Sequence, residues 1–220
     1  MPKKQSNSPW APAAERGQQR QVKRDAVLAT AAQLFNERGF HATSLDDIAA
    51  RLNVSKPTLY YYVKNKDEIL IECVRNGLQM MTEGIEETRK AGGKAIDQLT
   101  ACMRIYTRIV TQDFGMCVIR ISDDEMPSEN RAELRRLKSG IDMAFRRLVT
   151  EGIAEGSIQD CDPKMAAFAI AGALSWIGRW YESGGNYQPD EIATQLTAML
   201  FNGILKRTPT AQLKRSVPRS

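Results

Sequence analysis

The sequence predicts an all-α protein: a small N-terminal unit of three helices built around a helix-turn-helix, followed by a larger helical body. Three observations predict it. Apolar residues recur at three- and four-residue spacing through almost the whole chain, the signature of amphipathic helices. Breakers fall where the periodic runs end, at Gly39, Gly92-Gly93, Pro127, Gly156, Pro163, Gly184-Gly185 and Pro189. The charge also divides: residues 1–67 carry 11 basic and 6 acidic side chains, residues 68–205 carry 15 and 20, and residues 206–220 carry 5 and none. A basic N-terminal module therefore precedes an acidic body.

Composition narrows the class. A chain of 220 residues can bury one large core or two small ones. It lacks the run of about 18 apolar residues that a membrane-spanning helix needs. Its polar N-terminus has no secretory hydrophobic segment, so a cytoplasmic protein without a membrane partner is expected. Cys73, Cys102, Cys117 and Cys161 are scattered, with no Cys-x-x-Cys pair, and read as reduced thiols. His41 is the sole histidine. There is no Gly-x-Ser-x-Gly, no P-loop and no His-Glu-x-x-His, so no enzyme, metal site or cofactor is expected.

The elements follow in order. Residues 1–20, with Lys3, Lys4, Arg16, Arg20 and three prolines, read as a disordered basic arm. A first helix is expected over about Gln21 to Arg38, closed by Gly39 with Phe40 folding back. It would brace the next two helices, with Lys23 and Arg24 near its start free to meet phosphate or solvent. Ser44 caps the second helix, with Asp47 three residues on as capping-box partner. Leu45, Ile48, Ala49 and Leu52 form its apolar face. Asn53 stands where the chain must turn, and asparagine tolerates the left-handed conformation better than most non-glycine residues. Ser55 caps the third helix, and Pro57 falls in its first turn. Leu59 and Val63 point inward. Lys56, Thr58, Tyr60, Tyr61, Tyr62 and Lys66 are left on or beside the outer face. Lysines and hydroxyls hold phosphate oxygens, and residues at the start of a second helix reach base edges in the major groove. This is a face suited to double-stranded DNA, although spacing alone fits a surface helical hairpin as well.

The run Thr43–Lys66, and above all Pro57-Thr58-Leu59-Tyr60 followed by Val63-Lys64-Asn65-Lys66, resembles the DNA-binding signature of the TetR family of bacterial one-component regulators. The resemblance is close over about residues 23–75 and architectural beyond. It implies a domain over residues 21–67 that binds operator DNA, and a ligand-binding and dimerisation domain over residues 68–205. By the same resemblance Thr43, Ser44, Tyr60, Tyr62 and Lys66 hold phosphates, while Ser55 caps the recognition helix from within the same contact segment. Lys56, Pro57, Thr58 and Tyr61 are the base-reading set. Many family members have glycine in place of Asn53 and another residue in place of Lys56, which leaves the operator open.

In the body, Asn65 and Glu68 cap a long helix to about Arg89, the link between the two domains. Lys66 in its first turn makes it a lever acting on a phosphate contact. A helix over about Ala95 to Gln112 is expected to be broken by Asp113-Phe114-Gly115. The apolar run Met116–Ile121 fits a short helix or a buried strand. Asp123-Asp124-Glu125 reads as a loop without the alternating oxygens of a calcium site. A long helix from Ser128 to about Ala154 has cationic flanks, either salt-bridged or meeting an anionic ligand. Asp162-Pro163 opens a helix to about Glu182, rich in small residues. Pro189 opens the last, with Ile192, Leu196, Met199, Leu200 and Ile204 inward. These two helices can pair with a second copy in a homodimer, as the resemblance also implies. Residues 206–220 read as a basic disordered tail.

Two functions remain from the sequence: a dimeric repressor on a palindromic operator released by a small hydrophobic effector, or a DNA-binding dimer of the same fold with no such switch. Met103, Tyr106, Phe114, Met116, Phe145, Trp176 and Trp180 are the apolar candidates for an effector pocket. The stretch from Asp123 to Trp176–Gly185 is similar to family members that regulate fatty-acid or steroid breakdown. That likeness implies an acyl-CoA thioester; multidrug-type hydrophobic compounds are the rival class.

Overall fold

The computed structural model describes residues 13–202, with side chains from Gly17 onward; the expectations for the first arm residues and the basic tail lie outside that range. The described residues form helices α1 (Ala13–Arg38), α2 (Leu45–Arg51), α3 (Lys56–Tyr60), α4 (Lys66–Ala91), α5 (Ala95–Val110), α6 (Asp113–Arg120), α7 (Ser128–Ala154), α8 (Pro163–Trp180) and α9 (Pro189–Asn202). A single 3-10 turn, Asp123–Glu125, precedes α7.

The first helix starts at Ala13, not Gln21. Past Pro12 the stretch Ala13-Ala14-Glu15-Arg16 has strong helix formers and no breaker except Gly17, so helix extends ahead of the packed part. From Val27 to Phe35 its inner face is buried. Gly39 then takes φ +87°, and its N–H donates to the Phe35 carbonyl at 2.9 Å, stopping the helix.

The local signals of the head are all in place. Ser44 and Asp47 form a reciprocal capping box on α2. Asn53 adopts φ +55°, the one positive value at a non-glycine among the described residues. The Ser55 side chain accepts from the Thr58 N–H, with Pro57 in the first turn. Asn65 caps α4 by accepting from the Glu68 N–H at 2.7 Å. The Glu68 carboxylate accepts instead from the Lys64 N–H at 2.6 Å.

Behind α2 and α3 the apolar residues of the head run without interruption into those of the body. Ile48, Leu59 and Ile69 are wholly buried in the same cluster as Leu99, Phe145 and Leu174. Helix α4 carries this continuity, packing on α1 in the head and on α5, α6 and α7 in the body.

The helix from Ala95 ends as expected, but the break falls at Thr111-Gln112, and Asp113-Phe114-Gly115 form the first turn of α6. A Cβ on Gly115 would collide with the Ile109 carbonyl, so glycine here permits the tight α5–α6 corner. The Phe114 carbonyl likewise lies against Gly77 of α4, so α4 and α6 cross in backbone contact.

Helices α8 and α9 both pack on α5. Arg108 pins the start of α9 to α5 through a two-point pair with Asp190, at 2.7 and 3.0 Å. The Lys94 N-cap of α5 makes no side-chain cap bond, and Glu155, at the end of α7, supplies it by accepting from the Ala95 N–H at 2.7 Å.

Candidate DNA-contacting face and effector cavity

The outer face of the head is built on α3. Ser55, Lys56, Pro57, Thr58, Tyr60 and Tyr61 are all exposed there, held up by buried Leu59 and Val63. Ser55 Oγ and Thr58 Oγ1 lie 2.8 Å apart, and Lys56 Nζ donates to Asp46 Oδ2 at 2.8 Å. The Asp46 carboxylate raises the Lys56 pKa, so the side chain stays charged at neutral pH. Tyr62 is half-buried and packs on the core with its ring edge against Tyr61. Ser44 is exposed, but its hydroxyl donates to Asp47 Oδ2 at 2.5 Å.

Two of the expected phosphate contacts have other work. Thr43 is buried, and its hydroxyl donates to the Gly39 carbonyl at 2.9 Å. It stabilises the corner between α1 and α2 and is not on the outer face. Lys66 is half-buried; its ammonium donates to the Phe40 and Thr43 carbonyls, both at 2.9 Å, and stands 4.3 Å from the Phe40 ring centre. Two of its three donors are thus spent on the same corner. The first turn of α4 therefore grips the backbone that leads into α2. Arg24 is engaged too, pairing with Glu68 and Glu72 of α4 at 3.3 and 3.4 Å.

The structure adds one cation to the face. The Arg20 guanidinium lies 5.2 Å from the Tyr61 ring centre, a cation–π distance. The periodic pattern gave no sign of it, because it depends on the early start of α1.

A cavity of about 390 Å³ opens where α4, α5, α6, α7 and α8 converge. Leu78, Met81, Val118, Ile119 and Ile141 give it apolar walls, and Tyr106 and Ser175 contribute hydroxyls. Those hydroxyls lie 2.9 Å apart. Burial pushes the Tyr106 pKa up, partly opposed by the Ser175 bond, so the phenol stays neutral. Lys138, Asp142 and Arg179 make the polar part of the wall. Lys138 is held by Asp123 at 2.6 Å, which keeps that carboxyl below its ordinary range. Arg179 is exposed and has no ion-pair partner among the described residues.

Of the expected pocket residues, Tyr106 and Trp176 line this cavity. Met103, Met116 and Phe145 are buried core, and Phe114 packs partly buried beside it. The Phe145 ring stands edge-on behind Tyr106, 6.1 Å between centres, and so supports the wall from outside. Trp180 faces a different opening, an apolar groove of about 680 Å³ between α8 and α9. Trp176 lines both. Met199, expected inward, also faces the groove. Trp176 is 66% exposed, Trp180 44%, Tyr187 54% and Met199 51%, a concentration of large apolar surface that a lone chain leaves in water. Met165 and Phe168 extend it along α8. No described helix is long and apolar enough to cross a membrane.

A helix-turn-helix head on an all-helical body defines a class of DNA-binding regulators, and comparison names the family. Residues 27–73 match the family model described as "Bacterial regulatory proteins, tetR family", and residues 92–204 match "Tetracyclin repressor-like, C-terminal domain". The chain belongs to the TetR family of transcriptional regulators. The HTH-type transcriptional repressor KstR2 of Mycolicibacterium smegmatis is 25% identical over 193 residues, 83% of this chain and 90% of that one. The crystal structure of the TetR-family regulator PfmR from Thermus thermophilus aligns with a TM-score of 0.75 at 25% identity, covering 82% of this chain and 99% of that one. The structure of AibR in complex with isovaleryl coenzyme A and operator DNA aligns with a TM-score of 0.73 at 26% identity, covering 81% and 98%.

Proposed function

We propose that the protein is a dimeric repressor that binds a palindromic operator and is released by an acyl thioester. The observation that carries this reading is the pairing of an exposed α3 face with a cavity whose far wall, Trp176, also borders the unpartnered α8–α9 groove. A second copy seated on that groove buries the exposed aromatics and forms a four-helix interface. The two heads then read successive major grooves about 34–36 Å apart, or a multiple of it. Lys56, Pro57, Thr58 and Tyr61 face base edges; Ser44, Tyr60 and Arg20 meet phosphates.

The effector's acyl chain lies against Leu78, Met81 and Ile141. Its thioester oxygen accepts from the Tyr106–Ser175 pair, and its anionic end reaches Arg179 at the rim. AibR, of the same fold, was crystallised with isovaleryl coenzyme A and operator DNA. Occupancy favours a dimer whose head spacing no longer fits, by as much as the ligand's differential affinity for the two states.

The test is binding of the purified protein to sheared genomic DNA at stated salt, followed by release with a series of acyl-CoA esters starting from isovaleryl-CoA. A palindrome upstream of a few genes, lost on adding one ester, is the expected result. A palindrome unmoved by every ester returns the reading to the switchless dimer. Binding to all fragments with a steep salt dependence leaves phosphate attraction alone. Trp176→Ala separates two roles: lost release with the dimer intact assigns the tryptophan to the cavity, and a lost dimer assigns it to the interface.

A further inference from the structure

We infer that Arg120 is the positioning residue through which the body and the DNA head sense each other. It is the last residue of α6, and its guanidinium donates three hydrogen bonds to backbone carbonyls of two other helices. Nε reaches the Gly178 carbonyl at 2.7 Å and Nη2 the Tyr181 carbonyl at 3.1 Å, both at the end of α8. Nη1 reaches the Asn36 carbonyl at 3.1 Å, in the last turn of α1. Three helix C-termini, those of α1, α6 and α8, therefore converge on one cation. Each end carries partial negative charge and unsatisfied carbonyls. No ion pair engages the half-buried Arg120 among the described residues, and all three of its hydrogen bonds go to backbone carbonyls.

The arrangement ties a cavity wall to the head. The two residues before Arg120, Val118 and Ile119, line the cavity, as does Arg179 between its two α8 acceptors. A Cβ on Gly178 would stand 3.0 Å from Ile119 Cγ1, so α6 and α8 already touch at their closest and share any displacement. On the head side, Asn36 is held from both ends of α6. Its carbonyl accepts from Arg120, and its side-chain amide donates to the Asp113 carbonyl at 2.9 Å. Asn36 lies just ahead of Gly39–Thr43, the corner that Lys66 grips and that leads into α2. The Arg120 fork thus passes a shift of α6 or α8 to the end of α1, beside the α4–α6 contact that also joins head and body. Lysine offers a point charge on a flexible stem and cannot hold three carbonyls in that geometry.

Coupling is reciprocal, so it can be tested from the DNA side without any effector. The protein is saturated with duplex fragments it retains from sheared genomic DNA, and amide hydrogen exchange is followed over residues 174–187. In the wild type, DNA should slow exchange there by about fivefold or more, the lower end of ordinary allosteric coupling. In Arg120→Ala and in Arg120→Lys the DNA-dependent change should vanish, while DNA affinity and the protection of α5 amides persist. A plain structural staple would instead alter exchange equally with and without DNA. No DNA-dependent change at the end of α8 in the wild type overturns the inference, whether or not the variants fold. So does a change that survives in either variant.

Discussion

The head helices α2 and α3 and the body helices α8 and α9 are held in place in opposite ways. The head pair is short, seven and five residues, and almost every terminal group has a side-chain or turn partner a few positions away. The body pair is longer and packs on distant segments, leaving a groove and a row of exposed aromatics. Local chemistry fixes the ends and the turn of the head pair. Non-local packing leaves the body with a cavity and an exposed apolar groove. The sharpest way to break this comparison is to damage both cores equally. Leu59 and Leu174 are each wholly buried, and each truncation to alanine should cost about 2–5 kcal/mol. Leu59→Ala should release the head, abolishing DNA retention while the main urea transition moves little. Leu174→Ala should lower the midpoint of the whole chain. A uniform shift for Leu59→Ala would mean that the continuous core through α4 makes head and body one cooperative unit.

The interface side comes next. Trp180 stands at the groove, edge-on to Tyr187 with 6.4 Å between ring centres. In the proposed dimer it is a buried aromatic contact and should contribute about 2 kcal/mol or more to association. Sedimentation of Trp180→Ala should show a dimer weakened by about 30-fold or more. Unchanged association would place the contact between copies elsewhere.

What could be read in the sequence divides along the same line. Ser44 with Asp47, Ser55 with Pro57, Asn53, Gly39 and Asp162-Pro163 all announced their roles, because each acts on backbone within a few residues. Gly115 misled. It reads as a breaker but sits inside α6, where the neighbouring Ile109 carbonyl leaves no room for a side chain. That constraint comes from a corner in space and has no periodic signature. Met103 and Tyr106 share one apolar stripe, yet only Tyr106 reaches the cavity. A stripe reports which face is inward and cannot say whether it meets atoms or a void. The same holds for Met199, exposed, beside the half-buried Leu200. Thr43 and Lys66 matched a motif by position, while their hydrogen bonds to the α1–α2 corner emerged only from the fold.

A smaller effect sharpens the head side. Asn53 holds φ +55° at the turn, with its N–H bonded to the Ala50 carbonyl at 3.1 Å. Asn53→Ala should cost about 1–2 kcal/mol through the left-handed penalty, and Asn53→Gly should cost less. Both would appear as reduced DNA retention at raised temperature, with the body's urea midpoint unchanged. Equal effects of the two substitutions would show that the side chain, and not the backbone conformation, matters at this turn.

The smallest expected effect depends on pH and separates the regions most cleanly. Hydrogen bonds from the Ser44 hydroxyl and N–H hold the Asp47 carboxyl below its ordinary value, with a lesser contribution from Arg38. Because the folded pKa is the lower one, the stabilisation is fully present above the unfolded value of about 3.9. It is lost as pH falls through the folded value. Acid should therefore loosen the start of α2, and the Ser44 amide proton should titrate with Asp47 in an NMR series. Ser44→Ala removes the cap, costs about 1 kcal/mol, and should return the Asp47 pKa toward its ordinary value. Glu155 offers the matched control in the body, since its carboxyl is lowered by the Ser157 hydroxyl and the Ala95 N–H. If acid loosened the Ala95 cap and left α2 intact, the start of α2 would be held by something other than the Asp47 carboxylate.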